Sequence, residues 1–389
     1  MSATTVLRGI AWNHSRAVPP LVATAQRFEE LHPGVEIHWE KRSLNDFGYA
    51  GVIPLAERYD LLVIDHPMMG VARESKCLVD LAPALDDSFL KELASDSAGP
   101  SYESYLYDGS LYALPIDAAA PAASFRPDLL KQAGVNQPRT WRDVLDLARK
   151  GCVVMPGIPG DVFLNFVALC VSRGGSVPTN SEEFVDAQMG ERGLEELREL
   201  AGYLPAEIYE WNPIAVYEHL ATSDRYAYCP FAYTYSNYSR NGFGSHLILF
   251  ANPVLLNDGR PLRTVLGGAG LAISARCAAR DVALEYSAQV VSAEWQRTLY
   301  GLSGGQPGRR SAWQDETLNR ITNGFFERTF ESIERAYLRP RYPGYIEFQV
   351  GAGIPVVQYL QAGGKRAAVV ETINELYRQS LERRREQSV

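Results

Sequence analysis

The opening of the chain constrains its fold more than any other stretch. Residues 6–12 form an apolar run that ends in a polar turn, Asn13-His14-Ser15-Arg16, and Pro19 and Pro20 lead from it into a helical repeat over 21–31. His32-Pro33-Gly34 stops the helix, and residues 35–39 alternate as a second strand before the charged group Glu40-Lys41-Arg42. Strand, helix and strand in that order predict a parallel sheet. Residues 59–64 are almost continuously apolar, as a strand covered on both faces would be, and they end in Asp65-His66-Pro67. Three strand ends thus carry polar residues, and open α/β sheets bind ligands beyond the carboxyl ends of their strands.

The same alternation continues. Residues 107–117 read as a hairpin turn followed by an extended strand with Pro115 in it, placed as a connection between lobes. Thr140 caps a helix that runs through Arg149, with Asp143 in its first turn, and 153–155 reads as a short strand. Residues 165–173 and 194–203 are helical, and 225–228 reads as a strand running into Pro230 and an aromatic-rich loop. A glycine-broken strand over 264–274 is followed by a helix over 281–291. With 389 residues the chain exceeds what one core fills, since cores stop growing beyond roughly 250 to 300 residues. Two α/β lobes are expected, with no internal repeat.

Composition narrows the function. Hydrophobic residues at 46% and charged residues at 22% describe a fully folded chain. A net charge of -8, spread along the sequence, argues against nucleic acid as a partner. The one dense basic cluster, Arg383, Arg384 and Arg385, reads as a solvated helix end. Cys77, Cys152, Cys170, Cys229 and Cys277 form no C-x-x-C pair, and His14, His32, His38, His66, His219 and His246 show no paired ligand spacing, so no metal is expected. Gly267-Gly268-Ala269-Gly270 lacks the spacing of a dinucleotide loop, so no cofactor is expected either. The longest apolar stretch, around 163–171, is about half of the roughly 20 residues that cross a bilayer. The amino terminus, Met1-Ser-Ala-Thr-Thr-Val-Leu-Arg, enters a strand directly and shows no export signal.

The β-α-β opening with Phe28-Glu29-Glu30-Leu31-His32-Pro33-Gly34-Val35 resembles the family 1 extracellular solute-binding proteins, the maltose-binding-like receptors of ABC importers. Segments 60–67, 109–115, 267–274 and 303–307 match in the same order, so the likeness extends over nearly the whole chain. It implies an α/β fold of the periplasmic-binding-protein type II class, with two lobes joined by a multi-crossover hinge. Residues 1–116 plus 263–302 would form the first lobe, and 117–262 plus 303–389 the second. It also implies a ligand held in the cleft, closure by a hinge motion, and a monomer that delivers its solute to a permease. The location follows the leader: periplasmic or extracellular if one was removed, cytoplasmic if the sequence is native.

Recognition of a sugar uses planar donors and acceptors together with aromatic faces. The first lobe offers Trp12, His14, Arg42, Asp65 and His66 beyond strand ends, and the hinge offers Asp117. The second lobe offers the aromatic loop with Tyr228, Phe231, Tyr233, Tyr235 and Tyr238, while Gly268 and Gly270 would let backbone N–H groups approach the ligand. Trp12 fits core or cleft equally, and Asp65 could be no more than a helix cap. Of Arg339 and Arg341, two apart in the extended stretch 339–345, only one can face the ligand. Arg341 is placed there, and together with His14 and Arg42 it would favour an acidic sugar.

Two functions follow. The first is a binding protein without catalysis. The second is a cytoplasmic enzyme on the same scaffold, with His14, His66 or Asp117 as general acid or base. Cys229 is the one candidate nucleophile, and nothing beside it in sequence activates it.

Overall fold

The computed structural model describes residues 4–387, with side chains described through residue 382. The chain opens with β1 (Thr5–Trp12), the helix Val18–Leu31 and β2 (Val35–Arg42). β3 (Leu61–Ile64) follows, then a tight hairpin of β4 (Leu106–Tyr107) and β5 (Ser110–Leu111), then β6 (Leu114–Ala119). The second lobe contributes β7 (Pro121–Phe125), β8 (Tyr228–Tyr233) and β9 (Leu249–Ala251), and the chain then returns as β10 (Gly267–Ile273).

The first sheet has the order β2-β1-β3-β10-β6. β1 runs parallel to β2 and β3, as the opening predicts, and β10 enters antiparallel between β3 and β6. A helix start and a helix stop set this geometry. Pro19 and Pro20 lie in the first turn of Val18–Leu31, where a missing N–H costs nothing, and Gly34 turns the chain at φ +97° before β2. The second sheet is antiparallel, in the order β8-β7-β9.

Two hydrophobic cores result. One gathers Leu7, Phe28, Leu62, Leu114, Leu271 and Tyr300 around the first sheet. The other gathers Trp141, Phe163, Phe231, Val265, Phe348 and Tyr377 around the second. Thr140 closes the capping box with Asp143 that its sequence implies, and it starts the helix Trp141–Ala148 over the second core.

Two strand expectations are corrected. Residues 153–155 form only an isolated bridge from Val153 to Tyr228, too short for a ladder. The strand expected at 225–228 begins at Tyr228 and runs through Pro230. A proline is tolerated there because β8 is an edge strand. Arg383, Arg384 and Arg385 fall in the helix Arg366–Gln387, and their side chains, like the segment Met1 to Ala3, lie outside the described residues. Among the described residues no helix is long and apolar enough to cross a membrane, and no three His, Cys, Asp or Glu side chains are grouped to hold a metal ion.

Candidate ligand-binding cleft

A cavity of about 800 Å3, counting the space at its open mouth, lies between the two cores. The ends of β1 and β3 bring Trp12, Arg16 and Asp65 to it. The short helix Leu44–Tyr49 adds Phe47 and Tyr49 from the same side. Across from them stand Asp161 in the first turn of the helix Pro159–Val171, Tyr233 and Tyr235 at the end of β8, and Arg339.

Two buried ion pairs stand at the cavity, Asp65 at the end of β3 with Arg339, and Arg16 beyond β1 with Asp117 on β6 of the same sheet. Arg339 donates from one Nη to both carboxylate oxygens of Asp65, at 2.8 and 2.7 Å, and from Nε to the Leu266 carbonyl at 3.1 Å. Burial alone would raise the Asp65 carboxyl, but the Arg339 charge, with hydrogen bonds from His66 and Arg339, holds it well below the usual range. Arg16 donates from Nε to Asp117 Oδ2 at 2.9 Å, closes a second contact to Oδ1, and donates to the Thr234 carbonyl. Burial would strip Arg16 of its proton, and Asp117 outweighs it.

Asp161 differs. It forms no hydrogen bond or ion pair with any described residue, and burial pushes its carboxyl up to about 7 against the opposing charge of Arg339. The buried Trp12 indole N–H is likewise without a partner. A cavity with an orphan donor and an orphan carboxyl has hydrogen bonds left to give.

Glycine is required at two positions. Gly268 sits at φ +105°, with the Asp117 carbonyl where a Cβ would be, and Gly267 lies directly under the Tyr233 ring.

Of the positions proposed from sequence, Trp12, Asp65, Tyr233, Tyr235 and Gly268 line the cavity. Nine do not, each for a physical reason. His14 turns its Nδ1 inward to accept the Arg16 N–H at 2.9 Å and sets its ring edge-on to Tyr235. Burial and the Arg16 charge push its imidazole down to about 3. Arg42 donates to the Val63 and Asp46 carbonyls and lies over the Phe47 ring, so it braces the helix that carries Tyr49. His66 is fully buried behind Asp65, its Nδ1 3.1 Å from Oδ1, and burial lowers its imidazole to about 4. Asp117 is consumed by Arg16. Tyr228 points into the second core. Arg341 donates to the carbonyls of Glu103, Ser104 and Leu106 on the outer side of the first lobe. Gly270 packs against Tyr105, Phe231 stacks on Trp141, and Tyr238 donates to Glu218.

The alternating positions of the two arginines were legible in the sequence, but Arg339 faces the cavity and Arg341 does not. The three groups proposed for acid–base chemistry, His14, His66 and Asp117, are all off the cavity wall, so the enzyme reading loses its residues. Cys229 is buried away from the cavity, and burial pushes its thiol up to about 12. The sequence reading missed Phe47, Tyr49, Asp161 and Gln349, and it quoted Arg16 only as part of a turn.

The fold has close relatives in shape. The ABC-transporter solute-binding protein of Agrobacterium radiobacter K84, solved with ribitol, superposes with a TM-score of 0.80 at 20% identity, over 97% of this chain and 99% of that one. Maltose-bound T. maritima MalE3 gives 0.81 at 18% identity, over 97% and 100%. The Agrobacterium vitis S4 solute-binding protein with bound D-mannitol gives 0.77 at 17%, over 98% and 99%. These are likenesses of fold, and they place the chain in the type II class of two-lobed binding proteins. No protein among the curated ones matches it. Residues 23–323 match the model of the bacterial extracellular solute-binding proteins, so the chain is a member of that family.

Proposed function

We propose that this solute-binding protein closes around a small polyhydroxylated ligand, a sugar or an alditol, and presents it to an ABC-type permease outside the cytoplasmic membrane. The observation that carries the reading is the composition of the cavity wall. Trp12, Phe47, Tyr49, Tyr233 and Tyr235 supply aromatic faces, and planar polar groups from both lobes stand between them. The relatives of the same fold were solved with ribitol, maltose and D-mannitol, which share the hydroxyl-rich chemistry such a wall accepts.

The moving bodies are residues 1–116 plus 263–302 and residues 117–262 plus 303–389, and the protein works as a monomer. Closure joins Tyr49 of one body to Gly160 of the other, and the two buried ion pairs sit near the crossovers. The case for an acidic sugar rested on Arg341, His14 and Arg42, which the cavity does not include.

A thermal-shift screen against neutral sugars, alditols and acidic sugars tests the reading, with mass analysis of each ligand after incubation. A neutral polyol that stabilises the protein and is recovered intact is the expected result. A ligand recovered as a different compound would overturn it.

A further inference from the structure

The charges on and directly behind the cavity wall do not balance, and the imbalance has a location. Arg16 and Arg339 bring two positive charges to the wall and Asp65 and Asp161 bring two carboxylates, while Asp117, paired with Arg16 behind the wall, adds a third. Each arginine is closed off by its own aspartate. Arg16 also serves the Thr234 carbonyl, while Arg339 serves the Leu266 carbonyl and Gln349. Neither guanidinium is free to receive an anionic ligand. Asp161 is left over, with no hydrogen bond or ion pair to any described residue.

Its surroundings fit one kind of occupant. Tyr49, Tyr233 and Tyr235 line the same cavity as Asp161, and the Tyr49 hydroxyl sits against Gly160, the residue before it. A carboxylate in a partly dry cavity whose opposing charge, Arg339, is already paired with Asp65 is costly, which agrees with burial raising its proton affinity. The first turn of the helix Pro159–Val171 offers it only the partial charge of a helix start. A hydroxyl would give it a hydrogen bond. A protonated amine would give it a full counter-charge and several donors, and the aromatic faces attract cations as well.

The geometry points to a ligand that carries a protonated amino group, an amino sugar or amino alditol, with that group seated on Asp161 among Tyr49, Tyr233 and Tyr235. This rests on the reading of the cavity as the solute site. It makes Asp161 the residue that selects between ligands alike in every hydroxyl.

Isothermal titration with matched ligands tests it: glucose, glucosamine and glucuronate, and glucitol with 1-amino-1-deoxyglucitol. In the unsubstituted protein at pH 7 the amine of a matched set should bind at least about tenfold more tightly than its neutral partner, and the acid most weakly. Asp161→Asn should erase the difference between amine and neutral partner. A second measurement does not depend on the variant folding. Because the Asp161 carboxyl titrates at about 7, seating an amine should release about half a proton at pH 7, read from titrations in buffers of different ionisation enthalpy. A neutral or acidic member that binds as tightly as its amine overturns the amine assignment and leaves the solute site standing. Failure of every neutral, basic and acidic polyol to bind overturns the solute reading itself, and the amine assignment with it.

Discussion

The Tyr49 hydroxyl rests against the α-carbon of Gly160, so closely that a methyl group on that glycine would overlap the phenol oxygen. The two residues belong to opposite sides of the cavity. Tyr49 ends the helix Leu44–Tyr49, and Gly160 opens the helix Pro159–Val171 that carries Asp161. Gly160→Ala should therefore hold the two sides apart and weaken ligand binding by about tenfold, roughly 1.4 kcal/mol. Its own fold should be little changed, since the clash is made only across the cleft. Removing the ring in a Tyr49→Ala, Gly160→Ala double variant should restore part of the closure, and a double-mutant cycle on ligand affinity reads the coupling. Additive losses would show that the contact does not limit closure.

Arg339 and Asp65 form a pair that neither can leave alone. Arg339→Met removes the charge that holds the Asp65 carboxylate ionised in a buried place, and it should cost about 3–5 kcal/mol of unfolding free energy in urea titrations. Replacing both with apolar residues should recover much of that loss. Arg341→Met is the control, because its guanidinium binds carbonyls of the first lobe and faces no ligand. It should lower stability modestly and leave ligand affinity as it was. A large affinity loss in Arg341→Met would contradict the placement of these two arginines.

Much of this arrangement is legible in the sequence. The strand ends at Trp12 and Asp65 follow from hydrophobic runs that stop at polar turns, and Gly268 and Tyr233 from a glycine-broken strand and an aromatic loop. Parity along an extended segment says that Arg339 and Arg341 face opposite ways, but it carries no information on which way. Choosing required the position of the Asp65 carboxylate, 274 residues away in sequence. His14 and His66 misled because a histidine beside a strand end looks the same whether its ring faces the cleft or folds back onto its own turn. Asp161 was hidden for a different reason. A carboxylate in the first turn of an apolar helix is what the helix dipole alone would select, so its sequence context carries no mark of a ligand.

Gly268 offers a narrower test. At φ +105° it has the Asp117 carbonyl where a side chain would start, and Asp117 is the residue that holds Arg16. Gly268→Ala should push β10 away from β6, loosen the Arg16 pair, and destabilise the protein by more than the ~1 kcal/mol of a lost glycine conformation. The alanine variant should also lose ligand affinity. An unchanged melting curve would show that the backbone relaxes there without cost.

The pH dependence of stability separates the buried groups by sign. His14 and His66, lowered to about 3 and about 4, stay neutral in the fold and become charged on unfolding below about pH 6.5. Between pH 4 and 6.5 the unfolded chain therefore binds the extra protons, and each histidine lowers stability by at most about 1.4 kcal/mol per unit as pH falls. Asp161, raised to about 7, works in the opposite direction. The fold holds its proton while the unfolded chain releases it above about pH 4, so stability falls by up to about 1.4 kcal/mol per unit as pH rises to 7. The depressed carboxyl of Asp65 matters only below this window, where its contribution is lost as it protonates. Asp117, also raised by burial, acts in the same sense as Asp161. Against the slope of the unsubstituted protein, His66→Gln should remove up to about 1.4 kcal/mol per unit of the loss on acidification, and Asp161→Asn should add up to about 1.4 kcal/mol per unit to it. Urea unfolding at half-unit steps from pH 4 to 7 measures the slopes, and a profile that moves the same way in both variants would refute the assignment of opposite signs.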